Sequence, residues 1–527
     1  MKYFNRFFSL KVKENNYLFK MQNILLSNEQ QLIANKIINI EKPSVIWGIT
    51  GSGKTEIYMY VAQTFLHTAI NKQESILLPT MNSIQILVTL PEIAITEHII
   101  NRFEQYFGIK ATIWHSQKQN KSTFMGILNG NIQLVIGTRS AIFLPFKNLK
   151  LIVVDEEHDN SYKQDSYPYY NGRDMCLLLG KIYKAKVILC SATPSTETIY
   201  NCQIGKFNLL KLNNRYSGKL PKIKIISTDY ILDDETKKEI QNHLLQKEQV
   251  LFFMNKRGFS GMHCTKCNKR FMCKCGHILT FHKKNNILQC HKCKSIKSLL
   301  CICGSNNLKP IGMGIERMAE YLQKILYLKT EENSELFNLH IVSSDYYEKD
   351  KLKKLIEKIT NNEIQLIIST QLLSKGLHFP KLNYIIILYT GMFFDYRIYE
   401  RMMQTLCQML GRAGREDDLA TVLVQLPHNH KLIKYVETHD YEAFIYNELL
   451  ERKNWNLPPF THIIKVFFQK EINYSIFKEL ESMVEIDGKS ILITIKRNMF
   501  IYFLEKCHDF NINNKNKITI DFDPSSC

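Results

Sequence analysis

SVIWGITGSGKTEIY, residues 44–58, decides the fold. An apolar run, SVIWG, breaks into a glycine-punctuated turn, and the chain then continues as TEIYMYVAQTF. The run reads as a buried strand and the continuation as a helix. Between them stands G-x-x-x-x-G-K-T, with Gly48, Gly53, Lys54 and Thr55 at the fixed places and Gly51 inside the turn. Glycines let backbone N–H groups close around phosphates at a helix N-terminus. Lys54 then reaches the β and γ phosphates, and Thr55 supplies a hydroxyl to Mg²⁺. By ordinary residue usage the pattern arises by chance in a chain this long about once in fifty. Its strand–loop–helix context makes it a nucleotide site.

Outward from it, LKLIVVDEEHD (149–159) is a second apolar strand that delivers Asp155 and Glu156 to its carboxyl end, where ligands sit in open α/β sheets. Asp155 suits Mg²⁺, and Glu156 suits the orientation and deprotonation of an attacking water. Such a pair often marks only a solvated loop; downstream of a phosphate loop it reads as the other half of the same site. Glu157 and His158 complete D-E-x-H. VILCSATPS (187–195) is another strand, ending in Ser191, Ala192 and Thr193. Much further on lie QLIISTQLLSKGLHFP and QMLGRAGRE. The latter spaces Gln408, Gly411, Arg412 and Arg415 as Q-x-x-G-R-x-x-R. Two arginines three apart share a helix face and can reach a γ-phosphate.

Between these blocks, eight of the 14 cysteines crowd into residues 264–303. They pair as Cys264/Cys267, Cys273/Cys275, Cys290/Cys293 and Cys301/Cys303. Two pairs are C-x-x-C and two are C-x-C. In a reducing compartment paired thiols are metal ligands rather than disulfides. Eight thiolates make two tetrahedral sites, which Zn²⁺ fits best, so two Zn²⁺ per chain are expected. Burial as small core hydrophobes accounts for Cys176, Cys190, Cys202, Cys407, Cys507 and Cys527, but not for this window. The neighbouring His263, His277, His282 and His291 read as surface residues.

The totals set bounds. A chain of 527 residues makes two to four domains. Its 45% hydrophobic and 23% charged content is that of a globular protein. No apolar run approaches the ~20 residues that span a bilayer, and the basic start lacks the form of a secretory leader. A cytoplasmic protein with no membrane partner is expected. The net charge of +19 suits a polyanion such as nucleic acid, although coding rich in Lys, Asn and Ile would produce it regardless of function.

In this order, G-x-x-x-x-G-K-T, D-E-x-H, S-A-T and Q-x-x-G-R-x-x-R resemble the superfamily 2 helicases, and in detail the PriA family of replication-restart helicases. WGITGSGKTEIY, VTLPEIAIT, IGTRSAIFLPFKNLKLIVVDEEHDNSYKQDSYPYYNGRDM, FFMNKRGFSGMHC, LLSKGLHFP and ITIDFDPSS carry the likeness from about residue 26 to 527. The resemblance implies two RecA-like α/β lobes, a cysteine-rich zinc-binding insertion in the second lobe and a small α/β C-terminal domain. The boundaries expected are a short basic segment at 1–25, a first lobe at 26–210 and a second at 211–440. The insertion falls at 262–310 and the C-terminal domain at 441–527.

The resemblance also implies roles. One zinc would take Cys264, Cys267, Cys301 and Cys303, the other Cys273, Cys275, Cys290 and Cys293, although the family spaces all four pairs as C-x-x-C. Gln30 would contact the adenine, and Gly376 would join the ATP site from the second lobe. NSYKQDSYPYYNGRD resembles the family's aromatic-rich loop, which senses single-stranded DNA. There Tyr162, Tyr167, Tyr169 and Tyr170 would stack bases, and Lys163 and Arg173 would contact phosphates. Taken alone, the same tyrosines read as core packing.

The implied activity is ATP-driven 3′→5′ DNA translocation and unwinding at forks in primosome assembly. The alternative is a DNA-bound scaffold with little unwinding. Partners would be single-stranded and forked DNA, single-strand-binding protein and helicase-loading proteins. A nucleoid-associated monomer is expected. The phosphate loop comes early in the chain, so a form without the family's usual N-terminal DNA-binding domains is expected.

Overall fold

The computed structural model describes residues 24–71, 84–91, 97–115, 120–212, 221–227, 232–254, 260–273, 278–283, 285–290, 295–311, 314–326, 339–342, 349–370, 379, 381–388, 396–411, 420–469, 477, 482–487, 490–514 and 517–524. Two compact units divide it. The first comprises residues Met1–Pro194 and Asn201–Asn214, the second Ser195–Tyr200 and Arg215–Cys527.

The first unit is built on a seven-stranded parallel sheet. Its order is Thr112–Trp114, Leu134–Gly137, Gln85–Thr89, Leu149–Val154, Lys186–Ser191, Ser44–Gly48 and Asn208–Leu212. The central strands are buried along nearly their whole length, which is why they read as apolar runs rather than alternating ones. Helices such as Asn28–Asn39, Lys54–Asn71 and Gly172–Tyr183 cover the sheet, and two apolar clusters fill its faces. Lys186 fastens the end of the first helix, its ammonium donating to the carbonyls of Ile37 (2.5 Å), Ile38 (2.8 Å) and Ile40 (2.6 Å). A cation there satisfies carbonyls that no later turn of the helix reaches.

Among the described residues the second unit holds three sheets. A six-stranded parallel one runs Lys222–Ile226, Thr421–Gln425, Leu382–Leu388, Gln249–Met254, Leu366–Ser369 and Leu339–Val342. Both expected RecA-like lobes are thus present. The cysteine window forms a separate five-stranded antiparallel sheet, Ile296–Lys297, Ile287–Gln289, Thr280–His282, Ser260–Cys264 and Leu308–Ile311. Among the described residues its apolar cluster is small, with Met262, Cys273, Leu279, Leu288 and Cys290 as the buried members. So slight a core needs a staple. The C-terminal part adds the helix Tyr441–Asn454 and a four-stranded antiparallel sheet, against which the helix Phe500–Asn513 packs through Phe503, Cys507 and Phe510. Among the described residues no helix is long and apolar enough to cross a membrane.

Candidate ATP site and metal centre

Strand order brings the two halves of the nucleotide motif together. The strands Ser44–Gly48 and Leu149–Val154 both pair with Lys186–Ser191, so Gly48, Asp155 and Ser191 all emerge at one edge of the sheet. Gly51 and Gly53 have φ of 82° and 81°, which side chains rarely tolerate. A Cβ on Gly48 would sit 2.4 Å from Ser52 Oγ. The loop is a tight cradle of backbone, as a phosphate requires. Lys54 opens the helix Lys54–Asn71 and is buried, its ammonium donating to the carbonyls of Gly48 (2.6 Å) and Ile49 (3.2 Å). Thr55 follows it, partly exposed.

Asp155 follows its strand and donates its N–H to the Thr89 carbonyl at 3.0 Å. Burial, with the Glu156 carboxylate beside it, pushes its carboxyl up to about 7. The Tyr58 hydroxyl reaches Asp155 Oδ2 at 3.2 Å. Glu156 adopts a left-handed φ of 47°, which turns the chain sharply at the strand end. Its Oε2 atom is shielded from solvent without a hydrogen-bond partner, 3.6 Å from His158 Nδ1. An orphaned buried carboxylate oxygen beside a phosphate cradle fits the water or metal that an ATP site demands. His158 Nδ1 lies 2.7 Å from Ser191 Oγ, and Ser191 Oγ accepts the Thr193 N–H at 2.8 Å. D-E-x-H and S-A-T are thereby joined.

Gln30 is less available than an adenine contact needs. Its Oε1 accepts from the Ser27 N–H (2.9 Å) in a capping box, and its Nε2 donates to the Ser52 carbonyl (3.0 Å). Both ends of the amide are engaged within the protein. Gln408 lies in the last turn of the helix Ile398–Leu410, with Gly411 as its C-cap. Arg412, Arg415 and Gly376 lie outside the described residues.

Two DNA contacts expected from the sequence are corrected. Tyr162 is 2% exposed, so neither face of its ring is open to a base. Its hydroxyl donates instead to the carbonyls of Asp155 (2.8 Å) and Thr89 (2.9 Å). Arg173 is also buried, and its guanidinium pairs with the buried Glu157 at 3.2 Å and with Asp174 at 2.9 Å. The rest of the loop has a different character. Lys163–Gln164 pairs antiparallel with Tyr170–Asn171, a short hairpin whose far end carries Tyr167, 77% exposed. Lys163, Tyr169 and Tyr170 are partly exposed, and Tyr170 stands edge-on to the exposed ring of Phe143, centroids 5.1 Å apart. Arg139 ties the hairpin down, donating to the carbonyls of Ser161 (2.9 Å) and Lys163 (2.7 Å).

Sequence reasoning missed Tyr58 and Arg139. Tyr58 could have been found, because it lies four residues after Lys54 and hence on the same helix face.

In the cysteine-rich sheet, Cys264, Cys267, Cys301 and Cys303 converge, all four Sγ atoms within 4.8 Å of one another. Cys264 and Cys303 are 3.6 Å apart and Cys267 and Cys301 3.5 Å. Disulfide sulfurs lie ~2.0 Å apart. Four sulfurs held tetrahedrally at ~2.3 Å from Zn²⁺ would lie about 3.8 Å apart, so the set fits the ion. The C-x-C pair closes it because Gly304, at φ 78°, turns the chain back, with the Cys301 N–H on the Ser305 carbonyl. The backbone N–H of Cys267, with that of Lys266, lowers the pKa of the Cys264 thiol. Of the second set, Cys273 and Cys290 are buried in the module's core, and Cys273 Sγ lies 3.0 Å from Ser295 Oγ. Cys275 and Cys293 lie outside the described residues, as do His277 and His291. His282 Nδ1 lies 3.4 Å from Glu316 Oε1, a largely buried pairing rather than the surface position expected.

Comparison with known proteins agrees with this layout. The DEAD/DEAH box helicase family matches residues 27–202, and the helicase conserved C-terminal domain matches 283–417. The replication restart protein PriA of Rickettsia felis is 37% identical over 88% of this chain and 72% of its own length. That of Rickettsia typhi is 36% identical over 91% of this chain and 74% of its own. PriA of Haemophilus influenzae is 32% identical over 85% and 61% respectively. The chain belongs to the PriA family of replication restart proteins.

Proposed function

We propose that this protein is an ATP-hydrolysing DNA helicase of replication restart, which moves 3′→5′ along one strand at abandoned forks. One observation carries the reading. The phosphate loop and D-E-x-H emerge at one sheet edge, joined to S-A-T through the His158–Ser191 contact, in a chain of the PriA family. That arrangement supports nucleotide turnover rather than passive DNA binding.

In this reading Lys54 leaves the carbonyls of Gly48 and Ile49 for the nucleotide's phosphates, and Thr55 and Asp155 hold Mg²⁺. The ion, when bound, neutralises charge on the phosphate oxygens. Glu156 orients water and accepts its proton at Oε2. Gln408, Arg412 and Arg415 act on the same nucleotide. Glycines Gly48, Gly51 and Gly53 shape the cradle, and Gly376 and Gln30 complete it. Strand contacts fall to Tyr167, Tyr169, Tyr170 and Lys163, on the exposed hairpin. Zinc at Cys264, Cys267, Cys301 and Cys303 stabilises a module too small to hold itself, and a second zinc takes Cys273, Cys275, Cys290 and Cys293. Single-strand-binding and helicase-loading proteins are the partners this role calls for.

The test is strand displacement on a forked duplex beside an ATPase control. Displacement that requires ATP supports the helicase. DNA-stimulated hydrolysis without displacement supports the scaffold reading.

A further inference from the structure

A buried ionic cluster in the second unit takes no part in nucleotide or zinc chemistry. Arg452, on the helix Tyr441–Asn454, is 1% exposed, and Glu400, on the helix Ile398–Leu410, is 2% exposed. Arg452 Nη2 donates to Glu400 Oε2 (2.9 Å), its Nε to Glu448 Oε1 (3.0 Å) and its Nη1 to Thr196 Oγ1 (2.8 Å). The other Glu400 oxygen, Oε1, accepts the backbone N–H of Thr196 at 2.8 Å. Thr196 opens the helix Thr196–Gln203, so Glu400 satisfies an amide that has no acceptor within its own helix. Arg397 adds a pair with Glu197 at 2.5 Å and lies 3.6 Å from Glu400. Residues Ser195–Tyr200 and all these partners belong to the second unit.

Stability gives no reason for such a cluster. Taking each charge out of water costs several kcal/mol, and apolar side chains of similar volume hold such a place at equal or lower free energy. What charged groups add is direction. A carboxylate fixed between an N–H and a guanidinium sets both the separation and the rotation of the elements that carry them. Here those elements matter. Thr196 follows S-A-T by three residues, and Glu400 lies on the helix that presents Gln408, about two turns earlier.

We infer that Glu400, held by Arg452, is a positioning residue for DNA-stimulated turnover. It fixes the segment leaving S-A-T to the helix that carries Gln408 in its last turn, and it makes the helix Tyr441–Asn454 of the C-terminal part a component of the motor. The inference rests on the helicase reading above.

The test compares the full chain with its Glu400→Gln, Arg452→Met and doubly substituted variants. Each single variant should lower kcat at saturating single-stranded DNA about tenfold. Basal ATPase, KM for ATP and Kd for DNA should stay within about twofold. In the double variant Glu448 keeps Lys431, 3.3 Å away. That variant should regain the wild-type Tm to within about 3 °C without regaining the stimulated kcat. A merely structural cluster predicts the opposite, both returning together. That result, or wild-type stimulation in Glu400→Gln, overturns the inference. A wild-type protein without DNA stimulation counts against the helicase reading instead, and the link is then read by amide hydrogen exchange. Glu400→Gln must speed exchange in residues 195–199 and 406–410 alike; unchanged exchange in 406–410 overturns it.

Discussion

The Tyr162 hydroxyl donates to the main-chain carbonyl of Asp155 over 2.8 Å, joining the tyrosine-rich hairpin to the residue proposed to hold Mg²⁺. Gly172 lets the ring in, since a Cβ there would lie 3.2 Å from Tyr162 Cδ1 and 3.1 Å from Arg139 Cβ. The tyrosine-rich loop therefore has two kinds of tyrosine. One is structural and fixed to the ATP site; the others stand outside.

That division is testable with a pair of variants. Tyr162→Phe removes only the buried hydroxyl and takes a donor from Asp155, so unfolding stability should fall by about 1–2 kcal/mol. Its DNA affinity should not change. Tyr167→Ala should leave stability alone and weaken single-stranded DNA binding by about 1–3 kcal/mol. Denaturant melts and DNA titrations on both variants check it, and an affinity loss confined to Tyr162→Phe would reverse the assignment.

Arg173 gives a second such contrast. Breaking a buried ion pair strands its partner, here Glu157, so Arg173→Met should cost about 3–5 kcal/mol of stability. A phosphate contact would instead reduce the salt slope of DNA binding by about one. Comparing Tm and salt-dependent Kd for the variant separates the two.

For the nucleotide site, Lys54→Ala should abolish turnover. Glu156→Gln should retain ATP binding and lose hydrolysis about a hundredfold or more. Single-turnover kinetics with labelled ATP read both; near-wild-type hydrolysis in Glu156→Gln would remove Glu156 as the base.

Metal analysis of the purified protein should find close to two Zn²⁺. Cys301→Ser should lose one and loosen the antiparallel module, while basal ATPase survives because the phosphate loop and D-E-x-H lie in the other unit. A content near one in the wild type would mean that the second cysteine set does not close.

How far the sequence could be read follows from distance along the chain. The phosphate loop, D-E-x-H and the cysteine pairs are local patterns whose backbone demands are written in adjacent residues, and the α/β lobes follow from their apolar runs. Burial is not local. Tyr162 and Arg173 carry the chemistry of DNA contacts, but the hairpin folds them inward, where Thr89 and Glu157 meet them. Arg452 is farther still from legibility, because its partners Glu400 and Thr196 are 52 and 256 residues away.

The central claim is directional, ATP-driven unwinding, and one measurement reaches it directly. Partial duplexes carrying either a 3′ or a 5′ single-stranded tail are given to the same protein with ATP, with Lys54→Ala as control. The account predicts displacement from the 3′-tailed substrate by the wild type alone. Displacement only from the 5′-tailed substrate, or hydrolysis with no displacement from either, would contradict it.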